Sequence, residues 1–483
     1  MTKQSRREFL ENSMFATAAA YAASSALTQP LMAANKQQKG PNETLSVVVV
    51  GVRGRGRSHI DGFIGSPDTE IVALVDPDEK VLNEKADYIA EKTQKRPAVY
   101  TDMRKAFEDQ SIDIVSIATP NHWHALSAIW AVQAGKHVYV EKPVSHNVSE
   151  GRRMVQAARK YNKIMQTGTQ SRSMQGTLDV MDFMHQGGIG NISKARGLCY
   201  KRRKAIGEKG VYEVPSHIDY DLWTGPAPLV PMTRPNLHYD WHWQYLYGNG
   251  DLGNQGIHQM DLARWGLGVS GIGKSVISYG GRLGYEDAGD VANTQVSVHD
   301  YGDKQLIFEV RGLETDAYMD AKIGVIYYGE EGYVVQPSYN SATVFDLQGN
   351  TVKTFSAGGN HFQNFIDAVR AQDHTILNAD IEEGHYSSAL CHLGNISYLL
   401  GEQMTVAEAA EKLEATDENK DTIARFTEHL AMNGLKGEGT QIALGPKLTL
   451  EGEEFVGELA DAANPMLTRE YREGFVVPTA ENV

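Results

Sequence analysis

Residues 45–56 read LSVVVVGVRGRG, an apolar run that leads directly into a cluster of glycines. A run that is apolar on both faces is typical of a strand inside a parallel sheet that is covered on both sides. Glycines directly after such a strand let the backbone turn sharply and approach a pyrophosphate, and the N-terminus of the following helix attracts the same negative charge. Asp76 ends the next predicted strand, where an acidic residue binds ribose hydroxyls. The stretch therefore predicts a dinucleotide-binding domain.

The glycine spacing departs from the usual G-x-G-x-x-G pattern. Gly51 and Gly56 hold the first and third glycine positions. Arg53 occupies the second, and Gly54 follows one residue late. A plain turn is the alternative to a cofactor site, and the position of Asp76 favours the cofactor. The arginines of the turn have two interpretations, as pyrophosphate contacts or as solvated side chains. The predicted cofactor contacts here are Gly51, Arg53, Gly54, Arg55, Gly56 and Asp76.

The chain divides into an α/β half and a region of hairpins. From residue 45 to about 167, short β-branched runs alternate with helix-period segments, which indicates a doubly wound parallel sheet. Beyond it, alternating segments flank glycine-containing turns and predict an open, mostly antiparallel sheet. The predicted division is residues 45–165 for a Rossmann-type nucleotide-binding domain, 166–405 for a second α/β domain, and 406–483 for a helical and irregular C-terminal extension.

The composition excludes several classes of protein. The 483 residues carry 46 Lys and Arg against 61 Asp and Glu, a formal net charge of −15, which disfavours nucleic acid and anionic membrane surfaces as partners. Cys199 and Cys391 are the two cysteines, which predicts buried thiols, with a single bridge as the alternative. His238 and His242 form an H-x-x-x-H pair without an evident third ligand, so we predict no metal site.

The first 34 residues have the features of an export signal. Arg6 and Arg7 precede a weakly apolar, Ala-rich stretch over residues 14–27, and a small-residue site follows. This order predicts a twin-arginine signal peptide over residues 1–34 and a linker over 35–44. The alternative is an ordinary amphipathic leader with a chance arginine pair. No later segment reaches the roughly 18 apolar residues of a membrane span, so we expect an exported, periplasmic protein that meets the Tat translocase in transit.

Two motifs near the end of the predicted α/β half point to a family. Residues 118–124 read ATPNHWH, and residues 135–143 read GKHVYVEKP. In this order after a glycine turn, they resemble the Gfo/Idh/MocA family, the glucose-fructose oxidoreductase and inositol dehydrogenase group. The resemblance extends over residues 45–400, and the stretch YKRRK at 200–204 is similar to an exported branch of the family.

The resemblance implies an NAD-binding Rossmann domain and a second α/β domain whose open sheet covers the substrate and mediates homo-oligomerisation. It also implies cofactor contacts in the two motifs, at Thr119, Pro120, Asn121, His124, Glu141 and Lys142. Asn121 and His124 would line the nicotinamide ribose, with ordinary polar loop residues as the alternative. Because Asp76 would repel a 2′-phosphate, we expect NAD rather than NADP. Because free nicotinamide nucleotide is scarce outside the cytoplasm, we expect the NAD to be tightly bound.

Two residues are predicted to move the proton of an alcohol oxidation, which needs a base while hydride leaves for the nicotinamide. Lys142 follows a strand of the parallel sheet, at the edge where such sheets bind ligands. Pro143 is expected in the cis form that is common in the family. Family members also carry Asp-x-x-x-His on a helix of the second domain; here Asn254 stands in place of the aspartate, and His258 is retained. Lys142 and His258 are the predicted catalytic residues, with an exposed lysine and a capping or core histidine as the alternatives.

The predicted substrate contacts lie beyond the α/β half. Residues 201–250 form a long insert without periodicity, rich in Trp, Tyr and His, and such segments commonly shape a binding surface. Trp241 and His242 in this insert suit stacking on a sugar ring, with core filling as the alternative. The predicted substrate contacts are Gln170, Arg172, Trp241, His242, Asn254 and His258.

The residues together predict an NAD(H)-dependent oxidoreductase. It would transfer hydride between a bound nicotinamide cofactor and a secondary hydroxyl of a sugar, glycoside or cyclitol. One alternative is a redox-assisted, NAD-dependent glycoside hydrolase, in which transient oxidation at C3 acidifies the C2 proton and elimination expels the aglycone. A further alternative is a catalytically silent sugar-binding protein on the same fold, against which Lys142 and His258 argue.

Overall fold

The computed structural model of the chain describes residues 44–413, 417–436 and 439–483. The predicted signal peptide over residues 1–34 and the predicted linker, except for its last residue, lie outside the described residues, so both stay predictions. Within the described ranges, no helix combines the length and the apolar character that crossing a membrane requires.

The first half of the described chain is a doubly wound α/β domain, as predicted. Its strands are β1 Leu45–Val50, β2 Thr69–Val75, β3 Ala98–Tyr100, β4 Ile114–Ile117, β5 His137–Val140 and β6 Met165–Thr167. The connecting helices are α1 Gly54–Ile64, α2 Glu79–Thr93, α3 Met103–Phe107, α4 Asn121–Gln133 and α5 Val148–Lys160. Neighbouring strands pair in parallel in the order β3-β2-β1-β4-β5-β6. The sheet continues through Thr167, past the boundary predicted at residue 165.

The valine run of β1 explains why this sheet is covered on both sides. Val47 and Val49 belong to one apolar cluster, which includes Phe63 of α1. Val48 and Val50 belong to a second cluster, which contains residues of α4 and α5. All four valines are at most 1% exposed. Because successive side chains of a strand point to opposite faces, burying all four requires a layer of helices on each face.

The second half contains a large mixed sheet. Its strands are β7 Ile192–Tyr200, β8 Ser275–Gly281, β9 Thr294–Asp300, β10 Gln305–Arg311, β11 Ile323–Gly329, β12 Gly332–Gln336, β13 Ser341–Asp346, β14 Thr351–Ser356, β15 Glu402–Thr405, β16 Gln441–Leu444, β17 Leu448–Glu451 and β18 Glu454–Val456. The main order is β14-β13-β12-β11-β7-β10-β9-β8-β16-β15, and β17 pairs with β8 and β18. Strands β7 and β10 pair in parallel, and the other neighbouring strands pair antiparallel, which confirms the predicted fold class.

Several helices follow in the second half. They are α6 Gln175–His185, α7 Tyr220–Thr224, α8 Gly250–Asn254, α9 Gly256–Leu267, α10 His361–Ala371, α11 Ile381–Leu399, α12 Val406–Lys412, α13 Asp417–Met432 and α14 Ala460–Ala463. Of these, α9 and α11 pack against this sheet, and α10 packs against the first domain. Short 3-10 helices lie at Gln170–Ser173, Asp240–Trp243, His374–Ile376 and Asn464–Leu467. Cys199 on β7 and Cys391 on α11 are buried, free thiols of this core, which confirms the prediction.

The predicted irregular C-terminal extension is wrong in its second part. Strands β16 to β18 lie beyond residue 440, and both β16 and β17 pair with β8. These strands have three or four residues each, too few to show an alternating pattern. Pairing with β8 fixes β16 and β17, and pairing with β17 fixes β18. Strand β7 has no counterpart among the predicted elements, because its residues 195–200 are all buried and alternation is absent.

A buried ion cluster joins the second sheet to α13. Glu309 on β10 is 1% exposed. Its carboxylate accepts hydrogen bonds from Arg196, Tyr200, Arg311 and Arg425. Burial would raise the pKa of Glu309, but the surrounding guanidinium groups outweigh it and lower the pKa to about 2. Since Arg196 lies on β7 and Arg425 on α13, one carboxylate connects two strands with the helix packed against them.

Candidate functional site

The carboxyl ends of the parallel strands open into a cleft of about 450 Å³, a volume typical of ligand sites. Strands β2, β1, β4 and β5 are neighbours in the sheet, so the residues that follow them meet at one edge. The predicted site residues that line this cleft are Gly51, Arg53, Gly54, Arg55, Asp76, Thr119, Pro120, Asn121, His124, Glu141, Lys142, Gln170, Trp241, His242, Asn254 and His258.

The glycine turn leaves space for a ligand close to the backbone. Gly51 has a φ of +81°, and a Cβ there would stand 2.7 Å from the Ala118 backbone. Gly54 begins α1, whose N-terminus no side chain caps, and nothing lies within 4 Å of the place its Cβ would take. Free N–H groups of the first helical turn are therefore available to an anion. Gly56 does not line the cleft: its Cβ would stand 1.9 Å from the Gly51 oxygen, so this glycine lets α1 pack on the turn instead of contacting ligand.

Asp76 stands directly after β2 with its carboxylate fixed by the backbone. Its Oδ2 accepts a hydrogen bond of 2.9 Å from the Val52 N–H of the glycine turn, and its Oδ1 accepts one of 3.0 Å from the Asp78 N–H. Each oxygen keeps acceptor capacity for a ligand hydroxyl. Burial raises the pKa of Asp76 to about 6, so the carboxylate is ionised at neutral pH.

Arg55 and Glu141 form an ion pair in the cleft. Arg55 Nε donates to Glu141 Oε1 over 2.7 Å, and His59 Nε2 lies 3.0 Å from the same oxygen. Burial would raise the pKa of Glu141, but Arg55 and His59 hold it well below its usual value. Glu141 is therefore an anchor for Arg55. Arg55 Nη2 also donates to Gln170 Oε1 over 3.5 Å. The guanidinium lines the cleft beside the glycine turn, where a planar cation suits a pyrophosphate.

Lys142 follows β5, and its peptide bond to Pro143 is cis, as expected. Its Nζ donates a hydrogen bond of 2.6 Å to the backbone carbonyl of Asn254, the last residue of α8. Burial lowers the pKa of Lys142 from its usual value, although the neighbouring Glu141 opposes the shift. An amine with a lowered pKa at the wall of a cleft is a candidate for proton transfer.

His258 on α9 lines the same part of the cleft as Lys142 and Asn254. Its Nδ1 has no hydrogen-bond partner among the described residues, and its ring lies 4.9 Å from the ring of Tyr339. Burial, together with the Lys142 charge, holds the pKa of His258 well below its usual value. The imidazole is therefore neutral and able to accept a proton. The Asn254 side chain turns towards Asp251, with Nδ2 3.4 Å from Oδ1 of that carboxylate.

The ATPNHWH motif supports the cleft wall. His124 Nδ1 lies 2.6 Å from the Pro143 carbonyl oxygen, and its Nε2 lies 2.8 Å from the Thr119 carbonyl oxygen. Asn121 Nδ2 donates to Asn249 Oδ1 over 3.1 Å. His124 and Asn121 line the cleft, and their polar atoms bind other parts of the protein and fix its shape. Their predicted contact with the nicotinamide ribose stays a prediction.

The aromatic insert supplies another part of the wall, as predicted. The rings of Trp241 and His242 stack with 3.6 Å between their centroids, and both line the cleft. Tyr239 beside them is 54% exposed and has a φ of +65°, an unusual conformation for a tyrosine. The insert is attached to the first domain through Asp78, whose Oδ2 lies 2.9 Å from His238 Nε2. His238 is thus paired with a carboxylate of the first domain.

Arg172 does not line the cleft, unlike the other predicted substrate contacts. The side chain is 6% exposed, and its Nε and Nη2 donate to the two carboxylate oxygens of Asp261 over 2.8 and 2.9 Å. Nη2 also donates to Glu383 over 3.0 Å. A buried guanidinium requires such partners. Because Asp261 and Glu383 are 89 and 211 residues away in sequence, no local motif revealed the pairing.

Further residues line the cleft beyond the predicted ones. They are Pro77, Thr101, Asp102, Met103, Trp123, Leu222, Trp223, His238 and Tyr239, with apolar neighbours from β1 and β2. Thr101 and Asp102 follow β3, whose carboxyl end meets the same sheet edge, so the strand pattern contained the signal for them. Leu222 and Trp223 on α7 had no such signal, because only the folding of the insert brings them to the cleft.

The cleft fits a dinucleotide. The glycine turn and Arg55 would hold a pyrophosphate, and Asp76 would accept the hydroxyls of a ribose. Lys142 and His258 would then face the nicotinamide end, together with Asn254. The arrangement thus provides a cofactor site joined to a site for proton transfer.

Two matches to one family extend over most of the described chain. Residues 45–169 match the description "Oxidoreductase family, NAD-binding Rossmann fold", and residues 189–429 match "Oxidoreductase family, C-terminal alpha/beta domain". The chain belongs to the Gfo/Idh/MocA oxidoreductase family. Its first domain is therefore an NAD-binding domain, which confirms the predicted NAD cofactor, while the preference for NAD over NADP stays a prediction.

Curated relatives with similar sequences carry hydrolase names. A "Glycosyl hydrolase family 109 protein" from Shewanella pealeana is 30% identical over 203 residues, which is 39% of this chain and 44% of that protein. An "Alpha-N-acetylgalactosaminidase" from Shewanella oneidensis is 30% identical over 154 residues, 31% of this chain and 34% of that protein. The chain thus matches less than half the length of these relatives.

Solved structures share the fold of this chain. The WlbA dehydrogenase from Bordetella pertussis, in complex with NADH and UDP-GlcNAcA, has a TM-score of 0.55 and 20% identity, over 73% of this chain and 95% of that chain. GenD2 from gentamicin A biosynthesis, in complex with NAD, has a TM-score of 0.53 and 18% identity, over 76% of this chain and 96% of that chain. At these identities the likeness concerns the fold.

Proposed function

We propose that this protein is an NAD-dependent oxidoreductase that oxidises a secondary hydroxyl of a sugar, glycoside or cyclitol. The observation that carries the proposal is the placement of Lys142 Nζ: it lies inside the cleft, donates to a backbone carbonyl, and has its pKa lowered by burial. When bound, NAD supplies the acceptor for the hydride. The chain itself must provide a group that accepts the hydroxyl proton.

Lys142 and His258 divide this task. A neutral amine at Lys142 Nζ accepts a proton from the substrate hydroxyl, and burial, which lowers the pKa of Lys142, favours this neutral form. His258 is a neutral imidazole in the same part of the cleft and can pass or receive the proton in turn. The Asn254 carbonyl keeps Nζ in place between these events.

A carbohydrate substrate is supported by the walls of the cleft. The stacked pair of Trp241 and His242 offers an aromatic face to the apolar side of a sugar ring. Gln170 adds an amide to the lining beside Arg55. The solved structure of the WlbA dehydrogenase holds a nucleotide sugar, and curated relatives bear names of carbohydrate-active enzymes.

A second candidate is the redox-assisted glycoside hydrolase. The names of the curated relatives, "Glycosyl hydrolase family 109 protein" and "Alpha-N-acetylgalactosaminidase", favour it. In that reaction oxidation at C3 makes the C2 proton acidic, elimination breaks the glycosidic bond, water adds, and C3 is reduced again. Both candidates begin with the same proton transfer at Lys142, so the same cleft serves either reaction.

One experiment tests the first step and separates the candidates. Purified protein is mixed with a panel of sugars, glycosides and cyclitols, and reduction of bound NAD is followed by absorbance. Lys142→Met should slow this reduction by about 10²–10⁴-fold, whereas Lys105→Met, at an exposed lysine of α3, should not change it. Failure of every compound to reduce NAD in the unmodified protein would refute the oxidoreductase and favour a silent sugar-binding protein.

The product then distinguishes dehydrogenase from hydrolase. A dehydrogenase leaves the glycosidic bond intact and yields a keto sugar. The hydrolase releases aglycone without net change of NAD and, in D2O, places deuterium at C2. We favour the dehydrogenase; aglycone release with deuterium at C2 and no keto product would overturn that preference.

We also propose that the protein is exported through the Tat translocase, assembles as a homo-oligomer, and holds NAD tightly. The Arg6-Arg7 pair and the Ala-rich stretch after it support export. The resemblance to the family supports the oligomer, and the insert that walls the cleft supports tight binding. Light scattering, and mass spectrometry of nucleotide released on unfolding, would test the last two.

A further inference from the structure

A buried ion pair lies beside the proposed proton carrier and has no part in the steps above. Arg203 Nε and Nη2 donate to the two carboxylate oxygens of Asp251 over 2.6 and 2.5 Å. The two side chains are 9% and 2% exposed. Because removing two charges from water offsets much of their attraction, such a pair is weak evidence of a stabilising role. Its role is better judged from the groups it contacts.

Both partners are tied into their surroundings. Asp251 and Asn254 are on the five-residue helix α8, and Asp251 Oδ1 also lies 3.4 Å from Asn254 Nδ2. The carbonyl of Asn254 is the acceptor that holds Lys142 Nζ. Arg203 is also fixed. Its backbone N–H donates over 2.8 Å to the carbonyl of Gly312, directly after β10, and its Nη1 donates over 3.2 Å to the Tyr239 hydroxyl. The ion pair therefore fastens the helix that holds Lys142 to the second sheet.

Charged and titratable groups approach Lys142 from several elements. Glu141 beside it and Asp251 on α8 favour its charged form, whereas Arg55 on α1 and Lys201 after β7 disfavour it. Three imidazoles also lie within reach of the Lys142 charge, and burial lowers the pKa of each: His124, His242 and His258. Two carboxylates thus favour the charged form of Lys142. Glu141 is already paired with Arg55, and Asp251 is the other.

We propose that Asp251, held by Arg203, is a positioning residue for Lys142: it fixes the Asn254 carbonyl that receives Nζ, and its charge controls whether the lysine keeps its proton. The inference rests on the proposed function, since it concerns the proton carrier of that reaction. Arg203 neutralises much of the Asp251 charge. Removing Asp251 should therefore make Lys142 lose its proton more readily, and removing Arg203 should have the opposite effect.

The test measures the protonation of Lys142 without turnover. The full-length protein is labelled with trace acetic anhydride over a range of pH, and mass spectrometry of the Lys142 peptide gives the midpoint of its reactivity. Exposed Lys105 serves as the internal reference. Asp251→Asn should lower the midpoint by about one pH unit, because a facing carboxylate is lost. Arg203→Gln should raise it, because the Asp251 charge is no longer neutralised.

Two further variants keep the test decisive. Arg202→Gln, at an exposed neighbouring arginine, should leave the midpoint unchanged. Either single substitution in the ion pair leaves a buried charge without its partner and can prevent folding. The double variant, Arg203→Gln with Asp251→Asn, restores a neutral hydrogen-bonded pair of the same shape. It should lower the midpoint by less than Asp251→Asn does, because loss of the Arg203 charge offsets part of the effect.

The outcomes separate this proposal from the proposed function. An unchanged midpoint in the double variant, or shifts of the same sign in both single variants, would overturn the role of Asp251. Because no substrate enters the measurement, that result would leave the oxidation of a carbohydrate hydroxyl standing. Failure of substrates to reduce NAD would refute the proposed function without altering the measured midpoints.

Discussion

Replacing Asp76 by asparagine should weaken NAD binding and reduce the preference for NAD over NADP. Both carboxylate oxygens already accept backbone N–H groups, from Val52 and Asp78. The asparagine NH2 group would face one of these two donors, so one backbone hydrogen bond is lost. The ribose hydroxyls also lose a charged acceptor, and hydrogen bonds to charged groups contribute about 1.5–3 kcal/mol each. We expect a loss of about 2 kcal/mol, or about 30-fold in Kd.

The selectivity and the pH dependence should change with it. The negative charge of Asp76 repels a 2′-phosphate, so the variant should bind the two cofactors with more similar affinity. Burial raises the pKa of Asp76 to about 6, and the ribose hydroxyls need its ionised form as acceptor. The NAD affinity of the unmodified protein should therefore fall as the pH is lowered through about 6 and then level off. The Asp76→Asn variant should lack this transition, because no proton can bind at that position.

Isothermal titration of cofactor-free protein with NAD and NADP, between pH 5 and 8, measures both effects. Asp102→Asn is the matched control, because this carboxylate lines the same cleft but pairs with the exposed Arg104. It should change the Kd for NAD less than about threefold. Two results would refute the reasoning: NAD affinity in Asp76→Asn equal to that of the control, or tighter binding of NADP than NAD by the unmodified protein. The second would mean that Arg53 or Arg55 governs the pocket.

Three other predictions follow from the sequence and the structure. Replacing Arg6 and Arg7 with lysine should leave precursor in the cytoplasm, as seen by cell fractionation, and normal periplasmic accumulation would refute a twin-arginine signal. Gly56→Ala should abolish NAD binding in titrations, since its Cβ would stand 1.9 Å from a backbone oxygen of the turn, whereas Gly54→Ala should remain folded because its Cβ meets nothing within 4 Å. Glu309→Gln should lower the free energy of unfolding in urea by about 3 kcal/mol at neutral pH, since the buried arginines lose their counter-ion. As the folded pKa of Glu309 is depressed to about 2, its contribution is present above its usual pKa and should be lost as the pH falls towards 2, a loss that the variant should not show.

The sequence by itself determined the first domain and the cofactor side of the cleft. Strand β1 begins at Leu45 and ends at Val50 as predicted, and Asp76 lies directly after β2. These features are local: a valine run buries both faces of one strand, a glycine turn must follow it, and an acid must end the next strand. Features that depend on residues close together in the chain can be predicted from the sequence without knowledge of the tertiary structure.

Only the tertiary structure decided how the reacting side chains are held. Lys142 was predicted, but its acceptor is a backbone carbonyl 112 residues away, which no side-chain pattern encodes. Arg172 was assigned to the substrate, yet it is paired with Asp261 in the core. Leu222 and Trp223 reach the cleft because the insert folds over the sheet edge. Such contacts join distant parts of the chain. The position of a buried charge or of an irregular segment depends on partners that are far away in sequence, so local patterns do not predict it.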